Sequence, residues 1–167
     1  MSFHGALIGI IIATLIFSNK KNLKSLCLLD IIACVAPIGI FFGRIANFIN
    51  GELVGKISNI SWSVIFPMKD MSPRHPSQIY EAILEGLILF IILNIIINKK
   101  DYLIGTCSCL FLILYGVFRI FSEFFREPDA QIGYFFGFVS LGMILSLFMI
   151  LSGFIIYNFI KKNDEIK

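Results

Sequence analysis

Ile79-Tyr80-Glu81-Ala82-Ile83-Leu84-Glu85-Gly86-Leu87-Ile88-Leu89-Phe90-Ile91-Ile92-Leu93-Asn94-Ile95-Ile96-Ile97 decides the fold class. The run is unbroken by proline and long enough to cross a bilayer, which takes about 20 apolar residues. It lacks the strict apolar–polar alternation of a barrel strand, and lipid offers no partner to an open backbone, so it must be helical. Two carboxylates, Glu81 and Glu85, sit at its start. An ionisable group at the bilayer centre costs roughly 2.5–3.5 kcal/mol on insertion scales, so both need partners or a wet cavity.

Four further apolar runs flank it, at residues 5–18, 26–42, 102–121 and 135–160. The last two are long enough to span. The second is marginal and the first is short. Composition agrees: 57% of the 167 residues are hydrophobic and 15% charged, with mean hydropathy +0.88, whereas a soluble domain carries roughly 25% charged residues. Disorder is excluded, because disordered chains are poor in apolar residues. The net charge of +3 is spread along the chain without a basic stripe, so no nucleic-acid partner is expected. The expectation is an all-α integral membrane protein. It has about five transmembrane or membrane-embedded helices in one domain, residues 1–167, with an external polar connection at about 44–77.

Lysines mark one side. Lys20, Lys21 and Lys24 follow the first run, Lys99 and Lys100 the third, and Lys161, Lys162 and Lys167 the fifth. The positive-inside rule places them in the cytoplasm, with the N-terminus external and the C-terminus cytoplasmic. All four arginines lie on the opposite side, in polar clusters that suit anion recognition. No removable signal peptide is expected, since residues 1–4 carry no cationic side chain. Cys27, Cys34, Cys107 and Cys109 lie within apolar runs at spacings that fit no zinc site, and read as packing residues.

Three polar clusters carry the chemistry. In Gly43-Arg44-Ile45-Ala46-Asn47-Phe48-Ile49-Asn50-Gly51-Glu52-Leu53-Val54-Gly55, a continuing helix puts Arg44, Asn47 and Gly51 on one face. Asn50 and Gly51 could instead end it, and a polar helix cap is the plainer reading. In Arg74-His75-Pro76-Ser77-Gln78-Ile79-Tyr80-Glu81, Pro76 and Ser77 suit a helix start. Gln78, Glu81 and Glu85 then share a face. In residues 115–129, Tyr115, Arg119, Glu123 and Arg126 form one helical stripe if the helix runs on toward Pro128. That stripe is either a structural ion-pair seam or an anionic lipid or substrate site, because its cations outnumber what Glu123 alone can pair.

The three clusters, in this order, resemble the prolipoprotein diacylglyceryl transferase family of bacteria. Residues 43–55 resemble its signature, though Ala46 stands where the family has glycine. His75-Pro76-Ser77-Gln78-Ile79-Tyr80-Glu81 and residues 115–129 match further stretches, and Met1-Ser2-Phe3-His4-Gly5 resembles the segment bearing an essential histidine. The resemblance covers nearly the whole chain and looks like the C-terminal part of the enzyme, with about two further membrane segments upstream in the family. It implies transfer of the diacylglyceryl group of phosphatidylglycerol to the lipobox cysteine of a prolipoprotein signal peptide, in the inner membrane and without cofactor or metal. It further implies Arg44 and Arg119 at the phosphate, and Asn47, Asn50, Glu52, Gly55, Glu123 and Arg126 in orienting or binding the headgroup. His4 would accept the thiol proton, with Tyr115 as a polar helper. A small transporter and a non-catalytic membrane subunit are the rival classes.

Overall fold

The computed structural model describes residues 3–127, 134–135 and 139–165, with side chains described for 5–127 and 139–164. Five long helices carry the described fold: α1 Phe3–Lys21, α2 Ser25–Ile49, α3 Ser77–Ile97, α4 Thr106–Glu123 and α5 Leu141–Glu165. Helices α2 to α5 are each long and apolar enough to cross a membrane. The marginal second run is thus part of a 25-residue helix, about 37 Å long at 1.5 Å per residue. Its polar end, Arg44 and Asn47, continues the helix, so hydrophobicity alone marks the boundary too early. Pro37 lies inside α2, and the Asn94 amide of α3 donates to the Cys34 carbonyl in the turn before it, at 3.1 Å. Such side-chain donors are how a membrane helix tolerates proline.

Two other boundaries move. The fourth run is helical only from Thr106, with Gly105 in the left-handed region at φ +100°. The fifth run begins as an antiparallel pair, β3 Tyr134–Phe135 with β4 Val139–Ser140, before α5. Helix α4 packs most extensively on α5. Backbones approach closely there because Gly116 and Gly153 carry no side chain. A Cβ would lie 2.8 Å from the Ser146 carbonyl at the first and 2.9 Å from the Cys109 carbonyl at the second.

The core of Ala33, Cys34, Leu89, Leu93, Cys107, Phe111, Tyr115 and Met149 lies between α2, α3, α4 and α5. The outward faces are as apolar, with Ile16, Val35, Phe148 and Ile155 exposed, as expected where lipid is the solvent. Asp30 is the buried exception near the lysine side. Its carboxylate accepts from the Tyr102 hydroxyl, the Gly105 N–H at 2.5 Å, and the Ser108 N–H and hydroxyl at 2.7 and 2.6 Å. An anion on α2 thereby satisfies the orphan donors at the start of α4.

Between α2 and α3 the chain forms a small β layer. β1 Val64–Ile65 pairs with β2 Pro73–Arg74. Residues 54–58 lie between two partners, with Gly55 bridged to Arg126 and Ile57 to Arg74. Gly55 is wedged between the main chains of His75 and Phe125, where a Cβ would clash with the His75 carbonyl.

Candidate active site

Helix α2 ends at Ile49, with Asn50 as its cap and Gly51 at φ +67°. This settles the choice left open by the sequence: Arg44 and Asn47 ride on the last turns, and Gly51 has left the helix. Helix α3 starts at Ser77, as its Pro-Ser signal predicts. Its next turns, Ala82–Ile88, are wound as a π-helix, a local widening that recurs at functional sites. Within it, Gly86 lets α2 come close: a Cβ there would lie 2.6 Å from that of Phe41. The close approach brings α2 against the carboxylates of α3.

Those carboxylates meet the arginines of both neighbouring helices. Arg44 places Nη1 2.7 Å from Glu81 Oε2 and Nη2 2.9 Å from Glu85 Oε2. Arg119 places Nη1 2.9 Å from Glu81 Oε1 and 3.7 Å from Glu85 Oε1, and Nη2 2.5 Å from Glu123 Oε1. Arg126 Nη1 lies 3.5 Å from Glu81 Oε1. Glu81 is therefore the joint, touching arginines from α2, from α4 and from beyond α4. Glu81 and Glu85 are fully buried, and Arg119, Glu123 and Arg126 are buried.

The sequence stripe of Tyr115, Arg119, Glu123 and Arg126 holds only in part. Tyr115, Arg119 and Glu123 lie on α4, but the helix ends at Glu123 and the chain turns through Phe124 and Phe125. Arg126 reaches the network from an extended residue bridged to Gly55. The charge count also changes: with Glu81 and Glu85 included, three arginines face three glutamates. Tyr115 is buried beside them and stacks on Phe111, with ring centroids 5.7 Å apart.

Other expected residues lie around this network, not in it. Glu52 and Asn50 are exposed. Glu52 contributes its carbonyl, which accepts from Gln78 Nε2 at 2.7 Å, and its N–H, which donates to the Asn47 carbonyl at 2.9 Å. Gly55 shapes the layer above. His4 lies on α1, but its side chain is outside the described residues, as are Pro128 and Asp129.

Gln78 was legible as part of a face, but not as the tie between α3 and the loop after α2. Arg74 carried no helical signal at all. It is 4% exposed and donates to the Gly55 carbonyl at 2.9 Å, to Glu127 at 3.1 Å, and to Asp70 at 3.2 and 2.5 Å. These bonds fasten the β layer to the segment that follows α4. Hydrogen bonds from Arg74 and from the Ser72 N–H pull the Asp70 carboxyl down to about 2. A depressed carboxyl contributes stability above its unfolded value near 3.9, which is lost as the pH falls through its folded value. Hydrogen exchange at the Ser72 amide should accelerate as the pH drops from about 4 to 2, beyond the intrinsic trend. Asp70→Asn should remove that extra acceleration; an unchanged profile would contradict the assignment.

The profile of the prolipoprotein diacylglyceryl transferase family matches residues 1–159. A protein of Rickettsia bellii (strain OSU 85-389) is 55% identical over 163 residues, which cover 96% of this chain and 61% of that protein. One from Ehrlichia canis (strain Jake) is 50% identical over 169 residues, 99% of this chain and 65% of that protein. One from Rhodospirillum rubrum is 50% identical over 163 residues, 94% and 58% respectively. All three are named phosphatidylglycerol–prolipoprotein diacylglyceryl transferase. The chain spans less than two thirds of the length of each. With the family profile covering its three polar clusters and all but the end of α5, the chain belongs to the prolipoprotein diacylglyceryl transferase family.

Proposed function

We propose that this chain forms the part of a phosphatidylglycerol–prolipoprotein diacylglyceryl transferase that holds the lipid phosphate. The observation that carries this reading is one buried carboxylate, Glu81, engaging guanidinium groups from two separate helices within the membrane-spanning bundle. Two planar forks held side by side present further N–H donors to a tetrahedral anion. An almost wholly apolar groove of about 450 Å³ between α1, α2, α4 and α5 reaches Gly39 and Ile40, one turn before Arg44, and suits an acyl chain.

In the reaction the lipobox thiol sulfur attacks the glycerol carbon bonded to the phosphate ester. A C–S bond forms, the C–O bond breaks, and glycerol phosphate leaves with the bonding electron pair. The thiol proton goes to a base, for which the family resemblance offers His4. Arg44 and Arg119 stabilise the charge growing on the departing phosphate, which counts for most in a low-dielectric site. Glu81, Glu85 and Glu123 fix the forks. Arg126, Asn47, Asn50, Glu52 and Gly55 bind or shape the headgroup region, and Tyr115 assists from below.

The chain is a multi-pass membrane protein. The lysine distribution supports a single membrane domain with its lysine-bearing ends cytoplasmic and its external layer outside. In a cysteine-free background, a cysteine at position 69 should react with an impermeant thiol reagent in whole cells, and one at position 99 only after permeabilisation. External labelling at 99 would overturn the orientation. The activity is tested by incubating membranes containing the chain within the full-length enzyme with labelled phosphatidylglycerol and a lipobox peptide. The reading requires a labelled thioether; its absence, with the protein present at normal level, refutes it.

A further inference from the structure

We infer that Gly142 is a positioning residue for Arg119, leaving the space in which the Glu123 carboxylate grips that guanidinium; its functional consequence rests on the phosphate-site reading above. Gly142 is in the first turn of α5, just after Ser140, whose hydroxyl accepts from the Met143 N–H at 3.1 Å. A Cβ at position 142 would lie 2.9 Å from Glu123 Oε1 and 3.3 Å from its Cδ. That same Oε1 accepts from Arg119 Nη2 at 2.5 Å. The carboxylate thus fills the volume that any side chain at 142 would need.

The backbone gives no other reason for glycine. Residue 142 lies outside the left-handed region, and alanine is the better helix former. At Gly116 and Gly153 a Cβ would meet the helix packed opposite, which is a packing constraint. At Gly142 the nearest obstacle is instead a charged side chain. A carboxylate could ordinarily swing away from a methyl group. Here Glu123 and Arg119 are both buried, and any swing that relieves the contact moves the atom that orients Arg119. Gly142→Ala therefore acts on the guanidinium through Glu123, with the backbone of α5 undisturbed.

The test is a double-mutant cycle on the purified full-length enzyme in detergent: parent, Gly142→Ala, Glu123→Ala and the double variant, with Glu123→Ser replacing the alanine should that variant not fold. Native mass spectrometry reads the apparent Kd for phosphatidylglycerol against phosphatidylcholine. Gly142→Ala should weaken phosphatidylglycerol binding about tenfold in the parent, as expected for a displaced charge-assisted contact. It should weaken it less than about twofold once Glu123 is absent, because the coupling then has no carrier. Equal losses in both backgrounds, or no loss in the parent, overturn the inference. Gly9→Ala, where a Cβ meets nothing within 4 Å, controls for generic glycine replacement. If the parent holds the two lipids equally, the phosphate-site reading fails instead. The Gly142 inference is then judged on melting midpoints of the same four proteins: it requires Gly142→Ala to lower the midpoint only when Glu123 is present, and equal lowering contradicts it.

Discussion

Replacing Glu81 with alanine should be the most destabilising single change in the bundle. Glu81 is fully buried and lies within 2.7, 2.9 and 3.5 Å of Arg44, Arg119 and Arg126. Its removal leaves three guanidinium groups to two carboxylates, in a site that is largely buried. Breaking a buried pair by deleting one partner costs about 3–5 kcal/mol, because the remaining charge stays desolvated. A domain of this size shifts its melting midpoint by about 2–4 °C per kcal/mol, so a drop of roughly 10 °C is expected. In a Cys27→Ser background, which removes the exposed thiol, the buried cysteines Cys34, Cys107 and Cys109 report it, since a thiol-reactive dye reaches them on unfolding. Glu81→Gln should cost less, because it keeps shape and an acceptor oxygen. Equal midpoints for Glu81→Ala and parent would mean that the network does not hold the helices together.

Arg44→Lys and Arg119→Lys should each lose about 100-fold or more in lipid transfer, measured in the full-length enzyme, while inserting normally. Arg44 spans Glu81 and Glu85 with two different nitrogens, and Arg119 spans Glu81 and Glu123 in the same way. A lysine carries its charge and its three donors on one nitrogen and cannot reproduce the planar fork that meets two carboxylates from separate nitrogens with further N–H groups aimed at a phosphate. Stability should fall less than in Glu81→Ala, since the charge balance is kept. Arg74→Lys serves as the contrast: its partners Asp70, Gly55 and Glu127 lie outside the Glu81 network. A parental transfer rate in both Arg44→Lys and Arg119→Lys would remove them from the phosphate site.

The run at 79–97 carried the fold class because length and unbroken apolarity leave a lipid-facing chain no other conformation. The polar face of Gln78, Glu81 and Glu85 was also legible, since carboxylates in such a run need cations and the nearest candidates are arginines. Periodicity tells which residues share a face but not what the face meets. It could not show that both arginines share Glu81, nor that Glu85 turns the cation excess into a balance. It placed Arg126 on a helix that in fact ends three residues earlier, because pairing with Gly55 is a contact between distant segments. The Asp30 hub was visible only as a blemish in an apolar run, since its partners at 102–108 lie a whole hairpin of helices away. Gly142 carried no signal: an absent side chain matters only once its neighbour is known.

In the proposed mechanism one phosphate sits between Arg44 and Arg119. Solid-state NMR can measure it directly, through the dipolar coupling between lipid phosphorus and guanidinium nitrogen, with the nitrogen-15-arginine-labelled protein in bilayers of phosphatidylglycerol diluted in phosphatidylcholine. The account predicts phosphorus-dependent dephasing of two guanidinium signals, one lost in Arg44→Lys and the other in Arg119→Lys. Dephasing of both signals that survives in either variant, or none in the parent, would contradict it.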